Sequence, residues 1–239
     1  MHPQISVMER PRHTTAAPDP ADPPLALASA GSGPLLQRDY WGVIDGCRLS
    51  PREIIDLLAA RFGEVAPPEL VRFERADGAG TPLSVGDELT VKIFGAGTYA
   101  VRVLHRDELS LTVGTVRGHP EAGRITFGAY PNARGDVVFH IRSRARSSSR
   151  QHYWGFLTAG EPMQTNTWAD FINRLAAMAG DGVIGFLHAE TREVEPEPDE
   201  DEPKPTFLAR SEPTPSESSP REPSPRERPW SKPWPSGAS

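Results

Sequence analysis

The chain has a single cysteine, Cys47, so no intrachain disulfide can form and folding needs no oxidising compartment. It has no CxxC, and no two histidines stand four apart as they would on one helix face. His105, His119, His140 and His152 are the histidines to weigh as metal ligands, and their spacing makes a weak zinc signal. The sequence points to no metal and no cofactor. No apolar run approaches the roughly 18 residues of a membrane span. Leu25 to Ala30 is apolar, but it is too short for a secretory core and follows several prolines. A soluble, cytoplasmic chain is the expectation. A basic excess is missing too. The net charge is −6, most of it from the C-terminal tail, and the middle is near neutral. Neither a nucleic-acid footprint nor a strongly acidic binding face follows.

Proline, by contrast, is plentiful. The 26 prolines exceed the usual share of about 5%, and they concentrate at the two ends. Residues 1–38 are rich in Pro, Ala, Ser and Thr without any period, and read as disordered. Residues 190–239 are acidic, then Pro/Ser/Glu/Arg-rich, and read the same way. The remaining 39–189 is the size of one ordinary domain and long enough to bury a core.

Within that domain, Asp39 to Cys47 reads as a first strand. Cys47 ends it and is more commonly a small packed side chain than a nucleophile. Ser50, Pro51 and Glu53 form a helix start with a capping box. Ile54, Leu58 and Phe62 then recur on one face, and Gly63 is placed to end the helix. Pro68 to Phe73 reads as a second short helical piece. Strands follow at Val85–Phe94, Thr98–His105, Leu109–Val113, Ile125–Ala129 and Asp136–Ser147, each alternating in period two. Short turns join them, so they should pair as an antiparallel meander. Thr167 and Asp170 suggest a cap for a last helix, with Trp168, Phe171, Ile172, Leu175 and Met178 on one apolar face and Gly180 at its end. Val183 to Leu187 reads as a further turn on the same core. The order predicts an α+β fold, a curved antiparallel sheet of about six strands wrapped on a long C-terminal helix.

The least generic stretch runs from Gly114 to Phe127. Gly114-Thr115, Gly118-His119-Pro120-Glu121, Gly123 and Phe127 resemble the GT-x-x-GHPE-x-G-x-x-x-F signature of uncharacterised protein family 0548, found in plants and bacteria. The likeness spans roughly residues 39–179, including the YWGV run at Tyr40 and the Ser143-Arg144 pair. Two positions depart from that pattern. Arg124 stands where an acidic residue is common, and Leu111 and Val113 stand where aromatics are common. The resemblance implies the helix-grip fold of the Bet v 1-like superfamily (START, polyketide-cyclase and related domains), with a cavity between sheet and long helix. It carries no activity with it. The wider superfamily implies binding of apolar or amphipathic small molecules, less often catalysis.

His119 and Glu121 are the sharpest chemical pair. Imidazole and carboxylate together can act as acid and base or orient a ligand's polar group. The plainer reading is a turn set by Gly118 and Gly123, stiffened by Pro120, with polar side chains capping loop backbone. Tyr99 and Trp168 combine an apolar body with a polar handle and are candidates for cavity lining, as are Val101, Phe127, Phe139 and Phe171; core packing is the commoner role for such residues. His140, Arg142, Arg144 and Arg146 share one strand face directed away from the core. That stripe suits an anion, a phosphate-rich partner or the chain's own acidic segment Glu193 to Glu202; a solvated face is the commoner outcome. Nucleic acid is disfavoured, because aromatic interleaving and a net basic domain are missing. Trp230 and Trp234, each after a proline in the tail, are possible anchors for a partner protein. Three functional readings follow: a non-enzymatic carrier or sensor of an apolar or amphipathic small molecule, a cyclase- or hydrolase-type enzyme using His119 and Glu121, and an adaptor acting through its tail.

Overall fold

The first strand, β1 (Ser32–Asp45), pairs antiparallel with two neighbours and carries an alternating face into the core. A computed structural model of the chain describes residues 24–75, 80–148 and 150–202, with backbone alone over 150–164. The expectations for residues 1–23 and for the tail from 203 on, including Trp230 and Trp234, lie outside the described residues. Residues 24–38 and 190–202 are described, and both enter the fold. β1 starts at Ser32 rather than Asp39, because Leu35 and Arg38 are buried in it and Leu36 to Arg38 pair on both sides.

Helix α1, Pro51–Val65, follows its sequence signal at the start. The Ser50 side chain accepts from the Glu53 amide, and the Glu53 carboxylate accepts from the Ser50 amide at 2.8 Å. Two of the helix's otherwise unpartnered amide donors are satisfied in this way. Ile54, Ile55, Leu58 and Phe62 are buried. Gly63 does not end the helix, which bends at Arg61 and runs to Val65. Its value is closeness instead: a Cβ there would meet the Phe73 carbonyl oxygen at 2.9 Å. The second helical piece expected at Pro68 to Phe73 is a turn followed by strand β2, Val71–Arg75. Pairing of Val71 to Arg75 with the next strand overrides the local helix signal of Pro68.

Strands β3 (Glu88–Ile93), β4 (Gly97–Arg106), β5 (Ser110–Thr115), β6 (Glu121–Pro131) and β7 (Val137–Ser147) form the expected meander. Helix α2 is longer than its sequence signal, spanning Arg150–Ala179. Thr167 therefore sits inside it, buried, and is not a cap. The chain then returns as β8, Gly182–Val194, where a further turn and the start of the tail were expected. β8 covers the free edge of β1 from Leu35 to Asp45. The sheet thus has eight strands rather than about six, in the order β2-β3-β4-β5-β6-β7-β1-β8, and the long helix is not the last element. The α+β class holds.

Both helices pack on the same face of the sheet. Phe171, Ile172, Leu175 and Ala176 of α2 are fully buried there. Phe62 meets Phe127 edge-on at 5.2 Å and Phe73 at 5.0 Å, while Phe127 lies 5.3 Å from Phe171. This aromatic group ties α1, β2, β6 and α2 together, with each pair contributing about 1 kcal/mol beyond area burial. Phe139 and Ile141 of β7 complete the core beside it.

Candidate functional site

Between the sheet and the helices the packing leaves a cavity of about 130 Å³ that opens to solvent. Its apolar wall comes from Phe62, Phe73, Val91, Val101, Phe127 and Trp168. Its polar residues include Thr115, His119, Glu121, Ser143 and Thr167. Thr115 ends β5, His119 lies in the β5–β6 connection and Glu121 opens β6, so this corner supplies much of the polar character.

The connection is held in shape by short hydrogen bonds. The Thr115 hydroxyl donates to the Ala26 carbonyl at 2.6 Å and accepts from the Gly123 amide at 3.1 Å. Gly123 N–H also donates to the Ala26 carbonyl at 2.9 Å. The segment before β1 therefore wedges between the ends of β5 and β6, and Leu25 bridges to Val116. Gly118 adopts φ 99°, in the region that glycine favours. Gly123 is glycine for want of space: a Cβ would lie 2.2 Å from the Arg144 carbonyl oxygen and 2.6 Å from the Ala145 Cα.

His119 lines the cavity, and its side chain caps the loop backbone. Nδ1 lies 3.1 Å from both the amide and the carbonyl of Glu121. Burial pushes its pKa down to about 4, against a smaller upward effect of the Glu121 backbone hydrogen bond, so the imidazole is neutral near pH 7. The Glu121 carboxylate turns to Arg38, with Oε1 3.4 Å from Nη1 of an almost wholly buried guanidinium. The His119 imidazole thus meets the Glu121 backbone, and the Glu121 carboxylate faces Arg38.

The other sequence candidates divide. Val101, Phe127 and Trp168 line the cavity. Phe139 and Phe171 are packed into the core and do not line it. Tyr99 is also absent from the lining; its hydroxyl donates to the Ala96 carbonyl at 2.6 Å, and its ring meets His119 edge-on at 5.2 Å. Cys47 is packed at the margin of the core, with Sγ 3.2 Å from the Leu49 carbonyl. His105 pairs with Asp107 at 3.0 Å. Among the described residues no group of three His, Cys, Asp or Glu is placed to hold a metal ion. Arg38 was missed, since it fell in the stretch read as disordered. The alternation of Arg38, Tyr40, Gly42 and Ile44 was the available signal.

The opposite face of the sheet holds the arginine stripe, and much of it is buried where a solvated face was the commoner expectation. His140 Nε2 lies 2.8 Å from Asp39 Oδ1, and the same carboxylate accepts from Arg142. Burial alone would raise the Asp39 pKa; the hydrogen bond from His140 and the charge of Arg142 outweigh it and bring it to about 2. The Tyr130 hydroxyl is 3.0 Å from His140 Nδ1. Arg144 donates to the Gln37 side chain at 2.7 Å and to Glu200, in the acidic segment after β8.

No curated relative matches the chain. Among solved structures, similar ones include ginseng major latex-like protein 151 from Panax ginseng, at 15% identity over 62% of this chain and 99% of that one, TM-score 0.41. Protein CV1439 of Chromobacterium violaceum is similar at 14% identity over 61% and 98%, TM-score 0.40. Norcoclaurine synthase from Thalictrum flavum is similar at 13% identity over 62% and 96%, TM-score 0.41. No helix among the described residues is long and apolar enough to cross a membrane. Residues 64–177, which carry β2 to β7 and most of the cavity wall, match the family model described as "Domain of unknown function (DUF1990)".

Proposed function

We propose that the protein binds an apolar or amphipathic small molecule in the cavity between the sheet and the helices. The observation that carries this reading is the cavity itself: about 130 Å³ of space, open to solvent, with aromatic and branched walls and few polar groups. That volume is below the usual range of about 300–1,000 Å³ for ligand sites, so the ligand is small or extends out through the open mouth, and the lining has their usual composition. A suitable ligand has an apolar body against Phe62, Phe127 and Trp168. It has a polar end toward Thr115, His119 and Ser143. The neutral His119 orients such a group by hydrogen bonding and supplies no charge. Binding of small ligands by proteins of the superfamily that the sequence resembles agrees with this reading. The acid–base alternative has less support, because His119 is hydrogen-bonded to the Glu121 backbone while the Glu121 carboxylate faces Arg38.

The test is displacement of anilinonaphthalene sulfonate fluorescence by a long-chain alcohol, with Ile125→Trp as the blocking variant. Ile125 lines the cavity and is only partly buried, so the larger ring fills space without displacing the innermost core. The variant should retain its circular dichroism and bind the probe about tenfold more weakly or worse. Equal probe binding by a folded Ile125→Trp variant would place the probe elsewhere and count against the proposal.

A further inference from the structure

One cross-strand row on the sheet face away from the helices collects like charges. Arg124 of β6 is directly opposite Arg144 of β7, Arg144 is opposite Gln37 of β1, and Gln37 is opposite Arg192 of β8. Arg124 and Arg144 are both buried, at 4% and 6% exposure. Like charges facing each other across a ladder repel, and burial strengthens the repulsion. Such a row holds together only with an anion set into it. Here the anion is Glu200, itself 7% exposed. Its carboxylate accepts from Arg144 Nε at 2.9 and 3.1 Å and from Nη2, in a forked arrangement. Glu197 adds a more exposed carboxylate 3.8 Å from Arg144 Nη1.

The fit is incomplete on the Arg124 side. Its Nη1 donates to the Glu202 carbonyl, but Nε and Nη2 are buried without a hydrogen-bond acceptor. Glu200 Oε1 stands 3.6 Å from Nη2, close enough for attraction and too far for a hydrogen bond. A planar carboxylate that grips one guanidinium leaves the second short of oxygens. A tetrahedral dianion carries more acceptor oxygens, arranged in three dimensions, and is able to serve both forks. The occupying segment, 195–202, follows the last strand and is held by its own tight turns, from Glu200 to Glu197 and from Glu202 to Asp199.

We propose that Arg124 and Arg144 form a binding site for a phosphate-type dianion, and that segment 195–202 is an internal occupant which the dianion displaces. The site adjoins the cavity, whose lining includes Arg124, but Arg144 is not in that lining and alternates along β7 with the cavity-lining Ser143 and Ala145.

The experiment uses the full chain with Glu200→Gln, and the double variant Glu200→Gln with Arg144→Met. Thermal midpoints are compared in about 10 mM sodium phosphate and in sodium chloride of equal ionic strength. The single variant should melt below the wild type in chloride and recover by several degrees in phosphate, and the double variant should show no phosphate-specific recovery. If the single variant folds only with phosphate, that result is the same recovery in a stronger form. If it folds in neither buffer, amide exchange of the wild type decides: phosphate should speed exchange across 195–202 by about tenfold relative to chloride. Phenyl phosphate in place of inorganic phosphate separates the sources. Recovery with both assigns the site to phosphate esters as well as the free ion, and recovery with the inorganic ion alone restricts it to the latter. A folded single variant that phosphate stabilises no more than chloride would overturn the proposal, as would unchanged exchange at 195–202 where exchange is the deciding readout. Glu200 would then be a fixed counterion.

Discussion

Gly123 is the position where a single methyl group would do most harm. Two strands approach there so closely that a Cβ would fall 2.2 Å from a backbone oxygen, and backbone yields less readily than a side-chain tip. Gly123→Ala should lower unfolding free energy by about 3 kcal/mol, read from urea denaturation. His119 carries a pH signature. Its folded pKa, about 4, lies below its ordinary 6.5, so the unfolded chain binds the extra proton first. Stability should therefore fall as pH drops from about 6.5 and level off below about 4, with His119 contributing up to about 3 kcal/mol. His140, lowered mainly by burial and opposed by Asp39, adds to the same acid loss. His119→Gln should flatten part of this slope and leave His140's share, in denaturation series at pH 7, 6 and 5. An unchanged slope would show that His119 titrates normally. Asp39 acts lower: its stabilisation is present above its ordinary value of 3.8 and is lost as pH falls toward 2.

The elements differ in how much of them the sequence discloses. The start of α1 is legible because its signal is local: Ser50, Pro51 and Glu53 satisfy each other within one turn. Ser50→Ala should accordingly cost about 1 kcal/mol in the same denaturation assay. The meander is legible because alternation survives wherever one face is buried and the turns are short. β2 and β8 are not, because each owes its conformation to a partner strand. Pro68 suggests a helix start, and only pairing with Leu89 to Ile93 makes Val71 to Arg75 extended. Glu190 to Val194 reads as acidic tail, yet it supplies the outer partner of Leu35 to Asp39. α2 is half legible: its second half shows an apolar face, while Gly155, Gly160 and Pro162 obscure the first. The candidate site divides the same way. Val101, Phe127 and Trp168 follow from strand and helix faces. Arg38 and the docking of Glu200 depend on contacts between residues far apart in sequence, which no period announces.

At the scale of the whole molecule, one sheet separates two chemically distinct faces. The helix side is apolar and incompletely filled, because the aromatic group of Phe62, Phe127 and Phe171 packs the middle and leaves space beside Trp168 and the β5–β6 connection. The other side is polar, with half-buried Arg142 paired to Asp39 and buried Arg144 paired to Glu200. An apolar molecule seated in the cavity would gain dispersion contacts with the aromatic wall and remove that wall from water. Occupancy is therefore the central claim. The most direct measurement is native mass spectrometry of the purified full chain, followed by denaturing extraction and identification of released small molecules. The account predicts an adduct that disappears on denaturation and yields a lipid-like or otherwise apolar molecule, with no such adduct on the folded Ile125→Trp variant. A bare polypeptide mass, unchanged after incubation with apolar extracts of the producing cells, would contradict it.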